Sequence, residues 1–153
     1  MKKSMKNCFC FEKFYLFLIL VLLIYILDRY TKLLSSFFFG CFILCIKRSL
    51  NYGAAFNLLQ GFSWTRILLI IVALIVLILA AYFYFSLPYS NLLHLGLIFL
   101  FAGTLCNMID RIFFGYVIDW LSFSFLPVPS FNLADISNTV GVVLLIIFLL
   151  RKK

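Results

Sequence analysis

The chain has 153 residues, enough for one domain, and 66% of them are apolar whereas only 12% are charged. An average soluble domain is about half apolar and about a quarter charged, so a soluble fold of this size could not bury so much apolar surface. The composition excludes disordered, fibrous and disulfide-rich secreted proteins, and it predicts an integral membrane protein. The net charge of +8 does not indicate nucleic-acid binding, because basic residues cluster towards both ends, as in chains whose ends face the cytoplasm.

The first predicted element is a helix over residues 14–33. Its apolar run, residues 14–27, would rise only about 21 Å, and a membrane crossing needs about 30 Å. The helix must therefore continue through Asp28 and Lys32, which lie four residues apart on one helical face and are expected to pair. The basic start resembles a signal peptide, but no small-x-small cleavage site follows, so we expect an uncleaved anchor.

The next segment, residues 34–62, is predicted to form a small β-like cradle on the outer membrane surface. Its apolar part is short for a membrane span, and its Phe, Ile and Cys residues are typical of strands. Four spans would place both basic ends on the same side of the membrane, whereas a fifth span would separate them. We therefore expect extended structure here, continuing to about residue 60.

Three further spans are predicted over residues 67–85, 92–110 and 133–150. A short turn with a proline joins the first two, and residues 112–132 form an outer loop. Asn132 is a plausible N-cap of the last helix, with Asp135 at its third position, as in a loose capping box. The predicted fold class is a membrane all-α protein, a single domain of four transmembrane helices with a small extracytoplasmic β-like cradle between helices 1 and 2.

This topology brings all four aspartates to one membrane face: Asp28, Asp110, Asp119 and Asp135. Ionisable groups at membrane depth are functional candidates. Structural explanations remain open for each of them. Asp28 and Lys32 are explained by an ion pair, Asp110 by a charge pair with Arg111, Asp135 by the helix dipole, and Asp119 by an ordinary loop.

The functional explanation requires two carboxylates in one pocket. Two nearby acids share a proton, so that one deprotonates water and the other polarises or protonates a carbonyl group. No nucleophilic dyad or triad with a His or Lys base is attractive, and His94 is expected at the cytoplasmic end as a packing or interfacial residue. One His and scattered Asp residues do not suit a metal, and the five cysteines are expected to be free apolar residues.

Four sequence blocks follow one another in a specific order. They are D-R-Y-T-K at 28–32, N-Y-G-A-A-F at 51–56, N-M-I-D-R at 107–111 followed by G-Y-V-I-D at 115–119, and F-N-L-A-D at 131–135. On these blocks the chain resembles the signal peptidase II family, the bacterial prolipoprotein signal peptidases. The resemblance covers nearly all of the chain beyond its first dozen residues.

The resemblance implies an intramembrane aspartyl endopeptidase that cleaves just before a diacylglyceryl-cysteine. The family's catalytic pair falls on Asp119 and Asp135. Its polar pocket falls on Asn51, Gly53, Asn107, Arg111 and Asn132, and its supporting positions fall on Asp28, Lys32 and Asp110. The implied partners are lipid-modified preproteins and membrane lipid, without cofactor, metal or nucleic acid, and we expect a monomer. The implied location is the bacterial inner membrane, with both termini cytoplasmic and the active site at the outer face.

The sequence departs from the family at a few positions. Thr104 and Cys106 stand where glycine is common, and Trp120 stands where Phe is usual. We expect adjusted packing rather than lost activity. The short apolar stretch 122–130 is expected to shape the cradle differently from that of the family. Arg111 is expected to hold carbonyls of the bound peptide, and residues 37–39 to rest on lipid or clamp the substrate.

Two alternatives from other classes stay open on the residues alone. One is a small four-span transporter with Asp28 or Asp110 as its proton-coupled residue, although such residues usually lie near the membrane midplane. The other is a non-catalytic assembly subunit, which would not require acids at positions 119 and 135.

Overall fold

The computed structural model describes the backbone of residues 2–37, 39–54, 58–126 and 128–151, with side chains from residue 13 onward. Some residues used above lie outside the described side chains: Lys2, Lys3, Lys6, Cys8, Cys10, Phe38, Ala55, Phe56, Lys152 and Lys153.

Four long helices make up most of the described chain: α1 (Lys2–Leu34), α2 (Thr65–Ser86), α3 (Asn91–Phe113) and α4 (Leu133–Arg151). Each is long and apolar enough to cross a membrane, α1 over Lys13–Leu34. The prediction of four transmembrane helices is thereby confirmed. Helix α1 continues past Asp28 and Lys32 to Leu34, as the short length of its apolar run requires.

Helix α3 lies at the centre of the bundle, and it is the most buried of the four spans. Apolar side chains of α1, α2 and α3 form the core, among them Phe17, Ala80, Leu97 and Ile98. Helix α4 packs closely on α3, and a Cβ atom on Gly141 would lie 2.6 Å from the backbone nitrogen of Leu100. Small residues at such a crossing allow two helices to approach within the membrane.

A three-stranded antiparallel sheet lies outside the bundle. It consists of β1 (Gly40–Cys41), β2 (Leu44–Asn51) and β3 (Val117–Phe123), in the order β1-β2-β3. The cradle was predicted from the segment between α1 and α2 alone, and that was incomplete because its third strand comes from the predicted outer loop. A lone hairpin is marginal in water, and β3 covers the open edge of β2.

The pairing of β2 with β3 fixes what the sheet presents to the helices. Ser49 lies opposite Asp119, and Asn51 lies opposite Val117. A single bridge between Leu121 and Phe131 then leads the chain from β3 towards the start of α4. The sheet therefore carries polar residues of two distant segments to the end of the bundle where α3 ends and α4 begins.

Candidate active site

A cluster of four charged side chains, three of them buried and Arg29 partly exposed, joins three helices at this end of the bundle. Lys32 Nζ lies 2.7 Å from Asp28 Oδ2 and 2.7 Å from Asp110 Oδ2, and Arg29 contacts both aspartates. Both carboxylates are fully buried. The other oxygen of Asp28 accepts a hydrogen bond from the backbone N–H of Ala134 at 3.2 Å. The cluster therefore holds α1, α3 and the first turn of α4 together.

The predicted pairing of Asp28 with Lys32 is confirmed by this geometry, whereas a charge pair between Asp110 and Arg111 does not form. Asp110 faces α1 and bonds Lys32 across 78 residues of sequence. Arg29 was missed, because sequence neighbours on a helix do not normally face one another. The available signal was a second basic residue directly after Asp28 in the 28–32 block.

Asn132 and Asp135 form a reciprocal cap at the start of α4. Asn132 Oδ1 accepts from the backbone N–H of Asp135 at 3.0 Å, and Asp135 Oδ2 accepts from the backbone N–H of Asn132 at 3.1 Å. The predicted capping box is confirmed. Asn107 of α3 donates its amide to the remaining oxygen, Asp135 Oδ1, at 2.8 Å. The carboxylate of Asp135 is thus fixed by donors on two helices.

Asp119 points from β3 towards the same place. Asn132 donates its side-chain amide to Asp119 Oδ1 at 2.7 Å, and Asn51 of β2 donates to Asp119 Oδ2 at 3.0 Å. Asp119 is buried, with only 3% of its surface exposed. Asn132 therefore links the two carboxylates, because it contacts Asp119 through its side chain and Asp135 through its cap.

Arg111 joins α3 to the segment that follows β2. Its guanidinium donates to the backbone oxygen of Gly53 at 3.1 Å and to that of Asn107 at 3.1 Å. The backbone N–H of Gly53 in turn donates to Asn51 Oδ1 at 2.9 Å. These contacts orient Asn51 so that its amide nitrogen faces Asp119.

A cavity of about 580 Å³ opens at the two carboxylates. Its polar lining includes Asn51, Asn107, Arg111, Asp119 and Asp135, and its apolar lining includes Val117, Val128, Pro129, Phe131, Ile136 and Val140. Such a site combines an apolar wall with a few convergent polar groups, as ligand-binding cavities do. Within the described side chains, no three His, Cys, Asp or Glu residues are placed to hold a metal ion.

Asp119 is electrostatically unusual for a carboxyl group on a strand. Burial, and after it the negative charge of Asp135, raise the pKa of Asp119 from 3.8 to about 6. The amides of Asn51 and Asn132 act in the opposite direction, since they stabilise the ionised carboxylate. Asp119 therefore retains its proton at a pH where most carboxyl groups have lost theirs.

Comparison with known proteins identifies the family of this chain. The sequence profile of the family described as "Signal peptidase (SPase) II" matches residues 20–151. The chain belongs to the signal peptidase II family. It is therefore a peptidase of the aspartic class, as the sequence predicts, and the transporter and assembly-subunit alternatives are not favoured.

Individual relatives agree with the family match over most of the chain. The lipoprotein signal peptidase of Clostridium novyi is 40% identical, over 83% of this chain and 92% of that protein. The lipoprotein signal peptidase of Lactiplantibacillus plantarum is 34% identical, over 90% of this chain and 95% of that protein. A solved structure described as a bacterial membrane enzyme at 2.3 Å resolution superimposes with a TM-score of 0.81 and 32% identity, over 88% and 87% of the two chains.

The positions that depart from the signal peptidase II pattern lie in and beside the packed helices. Cys106 is fully buried in α3, and Thr104 donates a hydrogen bond to Asn138 of α4 at 3.1 Å. Trp120 has a buried indole N–H without an acceptor in the part of the chain that the structure describes. Close packing of α3 on α4 is made instead by Gly103, whose Cβ position is filled by Ala134 and Asn138.

Two predictions about Cys and His residues have different outcomes in this peptidase. Cys41 and Cys45 are joined by a disulfide across β1 and β2, so the prediction of free cysteines is wrong for this pair, although it holds for the buried Cys106. Strand pairing places Cys41 opposite Cys45, which the sequence alone did not reveal. His94 packs against the rings of Tyr84 and Tyr89 near the start of α3, as predicted for a packing residue.

Proposed function

We propose that this member of the signal peptidase II family removes signal peptides from diacylglyceryl-modified prolipoproteins, with Asp119 and Asp135 as its catalytic pair. The observation that carries the proposal is the placement of two restrained carboxylates, linked by Asn132, on one cavity at the end of the membrane spans. Peptide hydrolysis by paired carboxylates needs one acid and one base that titrate as a unit.

The two carboxylates are suited to different halves of this chemistry. Asp135 occupies the first turn of α4, where the positive end of the helix dipole and the amide of Asn107 favour its ionised form. It would take a proton from the attacking water. Asp119, whose pKa is raised to about 6, would protonate the oxygen of the scissile carbonyl. The resulting tetrahedral intermediate collapses when Asp135 passes the proton that it took from water to the peptide nitrogen, which leaves as an amine, while Asp119 takes back a proton from a hydroxyl of the intermediate as the new carboxyl group forms.

Arg111 is proposed to bind backbone carbonyls of the substrate beside the catalytic pair. Its guanidinium has five N–H donors and lines the cavity, while its contacts within the described chain are the oxygens of Gly53 and Asn107. The planar arrangement of the remaining donors suits a peptide backbone better than a lysine ammonium would.

The apolar wall of the cavity supports a lipidated substrate. Val140 and Ile136 lie on α4 within a membrane span, so acyl chains could reach the cavity from the bilayer while water reaches the carboxylates from outside. Each buried methylene contributes about 0.8 kcal/mol. Cleavage immediately before the lipidated cysteine follows if these chains hold that residue next to Asp119 and Asp135.

We further propose that both termini are cytoplasmic and that the sheet and site face outwards. The basic residues at both chain ends support this orientation. The disulfide between Cys41 and Cys45 supports it independently, because disulfides persist mainly in oxidising compartments outside the cytoplasm. The highly exposed rings of Phe37 and Phe39 would then rest on the outer lipid surface.

A single copy is proposed to be the active form. One chain supplies both carboxylates and the amides of Asn51, Asn107 and Asn132 that hold them. Measurement of the mass of the active detergent-solubilised protein tests this directly. Activity confined to a dimeric fraction would contradict it.

The deciding experiment is cleavage of one preprotein with and without its diacylglyceryl group by the purified protein. We expect the lipidated form to be cut on the amino side of its modified cysteine and the unlipidated form to be cut very poorly. Mass spectrometry of the products identifies the bond. Equal cleavage of both forms would contradict lipid-dependent positioning, and absence of cleavage of the lipidated form would overturn the proposed function.

A further inference from the structure

Two polar side chains face one another inside the membrane-spanning part of the bundle. Thr104 of α3 donates its hydroxyl to Asn138 Oδ1 of α4 at 3.1 Å. Both residues lie within candidate spans, where a polar group is costly unless it has a hydrogen-bond partner. This contact satisfies only one end of the Asn138 amide.

The other end of that amide opens on the cavity. Asn138 lines the cavity together with Asp135, and among the described residues no acceptor receives a hydrogen bond from its amide nitrogen. That nitrogen is also not one of the buried unpaired polar atoms of the described chain, so part of its surface is exposed, on a side chain that lines the cavity. Asn138 thus presents unused N–H donors to whatever fills this space.

The depth of Asn138 restricts the chemistry of its partner. It follows Asp135 by three residues, which places it about 4.5 Å further along α4 and away from the outer end. Its neighbours Ile136 and Val140 are apolar lining residues. A charged acceptor would be poorly solvated there, whereas a neutral carbonyl oxygen fits. The scissile peptide itself belongs one turn higher, beside the carboxylates.

We propose that Asn138 is a specificity-determining residue that donates its amide N–H to an ester carbonyl of the substrate's diacylglyceryl group. This inference rests on the proposed function. The esters of diacylglyceryl-cysteine lie between the peptide and the acyl chains, joined to the cysteine by a short thioether arm. They are the neutral acceptors that enter the cavity just below the scissile bond.

Thr104 acts in this arrangement as a positioning residue. Its hydroxyl holds Asn138 Oδ1, which turns the amide nitrogen towards the cavity. Gly103 beside it gives the close approach of α4 that brings the two side chains within hydrogen-bond distance. The hydroxyl at position 104 is therefore tied to substrate recognition as well as to helix packing.

The test compares two substrates that differ only at the proposed contact. A preprotein carrying an ester-linked diacylglyceryl group is compared with the same preprotein carrying ether-linked alkyl chains, which lack the carbonyl oxygens. The unaltered protein should show a kcat/KM about threefold to tenfold higher for the ester, as one net hydrogen bond predicts. Asn138→Leu should bring this ratio to about one, since it removes the donor.

Two further variants separate recognition from packing. Thr104→Val keeps the shape of the side chain and should lower the ester preference without abolishing it, with Asn138 still present. Ser137→Ala is the matched control, because Ser137 makes a different α4–α3 hydrogen bond, to the backbone oxygen of Phe99 at 2.7 Å, and does not line the cavity. It should lower the melting temperature and leave the ester-to-ether ratio unchanged.

The outcomes distinguish this inference from the function on which it rests. Failure of the unaltered protein to cut either substrate would overturn the proposed function. Equal kcat/KM values of the unaltered protein on the ester and ether substrates would overturn the role of Asn138 and leave the proposed function intact. An ester preference that survives in both Asn138→Leu and Asn138→Ala would do the same. A Thr104→Val ratio equal to that of the unaltered protein would overturn the positioning role of Thr104.

Discussion

Asn132 donates its side-chain amide to Asp119 at 2.7 Å, while the oxygen of the same amide caps α4 at the backbone of Asp135. One side chain thus fixes the start of a helix and the geometry of a carboxylate on a strand. The two contacts use different atoms, so substitutions can remove one of them and leave the other.

Asn132→Ser should separate catalysis from stability. Serine is a good N-cap, so its hydroxyl can still accept from the backbone of Asp135, but it lacks the amide that donates to Asp119. The amide holds Asp119 in place, and misplacement of a reacting group by about 1 Å can cost about a hundredfold in rate, so we expect kcat to fall at least about tenfold. Asn132→Ala should lose this activity and also about 1 kcal/mol of stability. Full turnover of Asn132→Ser would show that the amide contact is dispensable.

Asp119→Asn and Asp135→Asn should each abolish cleavage of a lipidated preprotein. Asparagine is nearly isosteric with aspartate, but it can neither accept the proton of water nor share an acidic proton. Because the pair acts as one unit, the double variant should be little worse than either single variant. Turnover and melting temperature are measured on the same preparations, and melting should stay near normal. Substantial turnover by either single variant would contradict the aspartyl mechanism.

Removal of Asp28 should destabilise the protein, and removal of Lys32 as well should recover part of the loss. The cluster with Arg29 and Asp110 has two charges of each sign, so Asp28→Ala leaves an uncompensated positive charge that the double variant removes. Thermal melting in detergent is measured for the unaltered protein, for Asp28→Ala, for Lys32→Ala and for the double variant, which together form a double-mutant cycle. Arg48→Ala, at an exposed contact with Ser36, is the control and should change stability by less than about 0.5 kcal/mol. Additive losses would show that Asp28 and Lys32 are not coupled.

Stability should decrease as the pH rises through the range in which folded Asp119 loses its proton. The folded chain holds this proton up to about pH 6, whereas an unfolded aspartate with a pKa of 3.8 releases it earlier. The folded state therefore binds more protons between these values, and its free energy of unfolding falls as the pH rises. Melting curves from pH 4 to 7 should show this slope in the unaltered protein. The slope should be weaker in Asp119→Asn, and identical slopes would contradict the raised pKa.

The proposed orientation predicts opposite labelling of two exposed serines. Ser63→Cys lies just before α2 at the sheet end of the bundle, and Ser86→Cys ends the same helix at the other end. In intact cells a membrane-impermeant thiol reagent should label the cysteine at position 63 and not the one at position 86. The unaltered chain is the control, because it measures the labelling of the native cysteines. The reverse pattern would place the sheet and both carboxylates on the cytoplasmic side.

Local rules predicted those parts of the structure that depend on short sequence separations. The Asp28–Lys32 pair follows from helical spacing, and the Asn132–Asp135 box follows from the rules for helix ends. The four spans follow from runs of apolar residues. The catalytic roles at positions 119 and 135 came from the family resemblance and remain predictions that the experiments above test.

Features that depend on long-range packing could not be predicted in this way. The bond of Lys32 to Asp110 requires α1 to lie against α3, and the third strand requires β3 to reach an edge formed 70 residues earlier. The Cys41–Cys45 disulfide depends on the register of β1 with β2. No pattern within any one of these segments identifies its partner.

The charged cluster is completed late in biosynthesis, because its members lie far apart in the sequence. Asp28 and Lys32 enter the bilayer with the first helix, Asp110 arrives with the third, and the backbone of Ala134 arrives only with the fourth. The nascent chain therefore carries incompletely satisfied charges until its last helix is inserted. Both proposed catalytic carboxylates belong to the final quarter of the chain, so the proposed mechanism predicts that a partly synthesised copy does not hydrolyse peptide bonds in the membrane that is still receiving it.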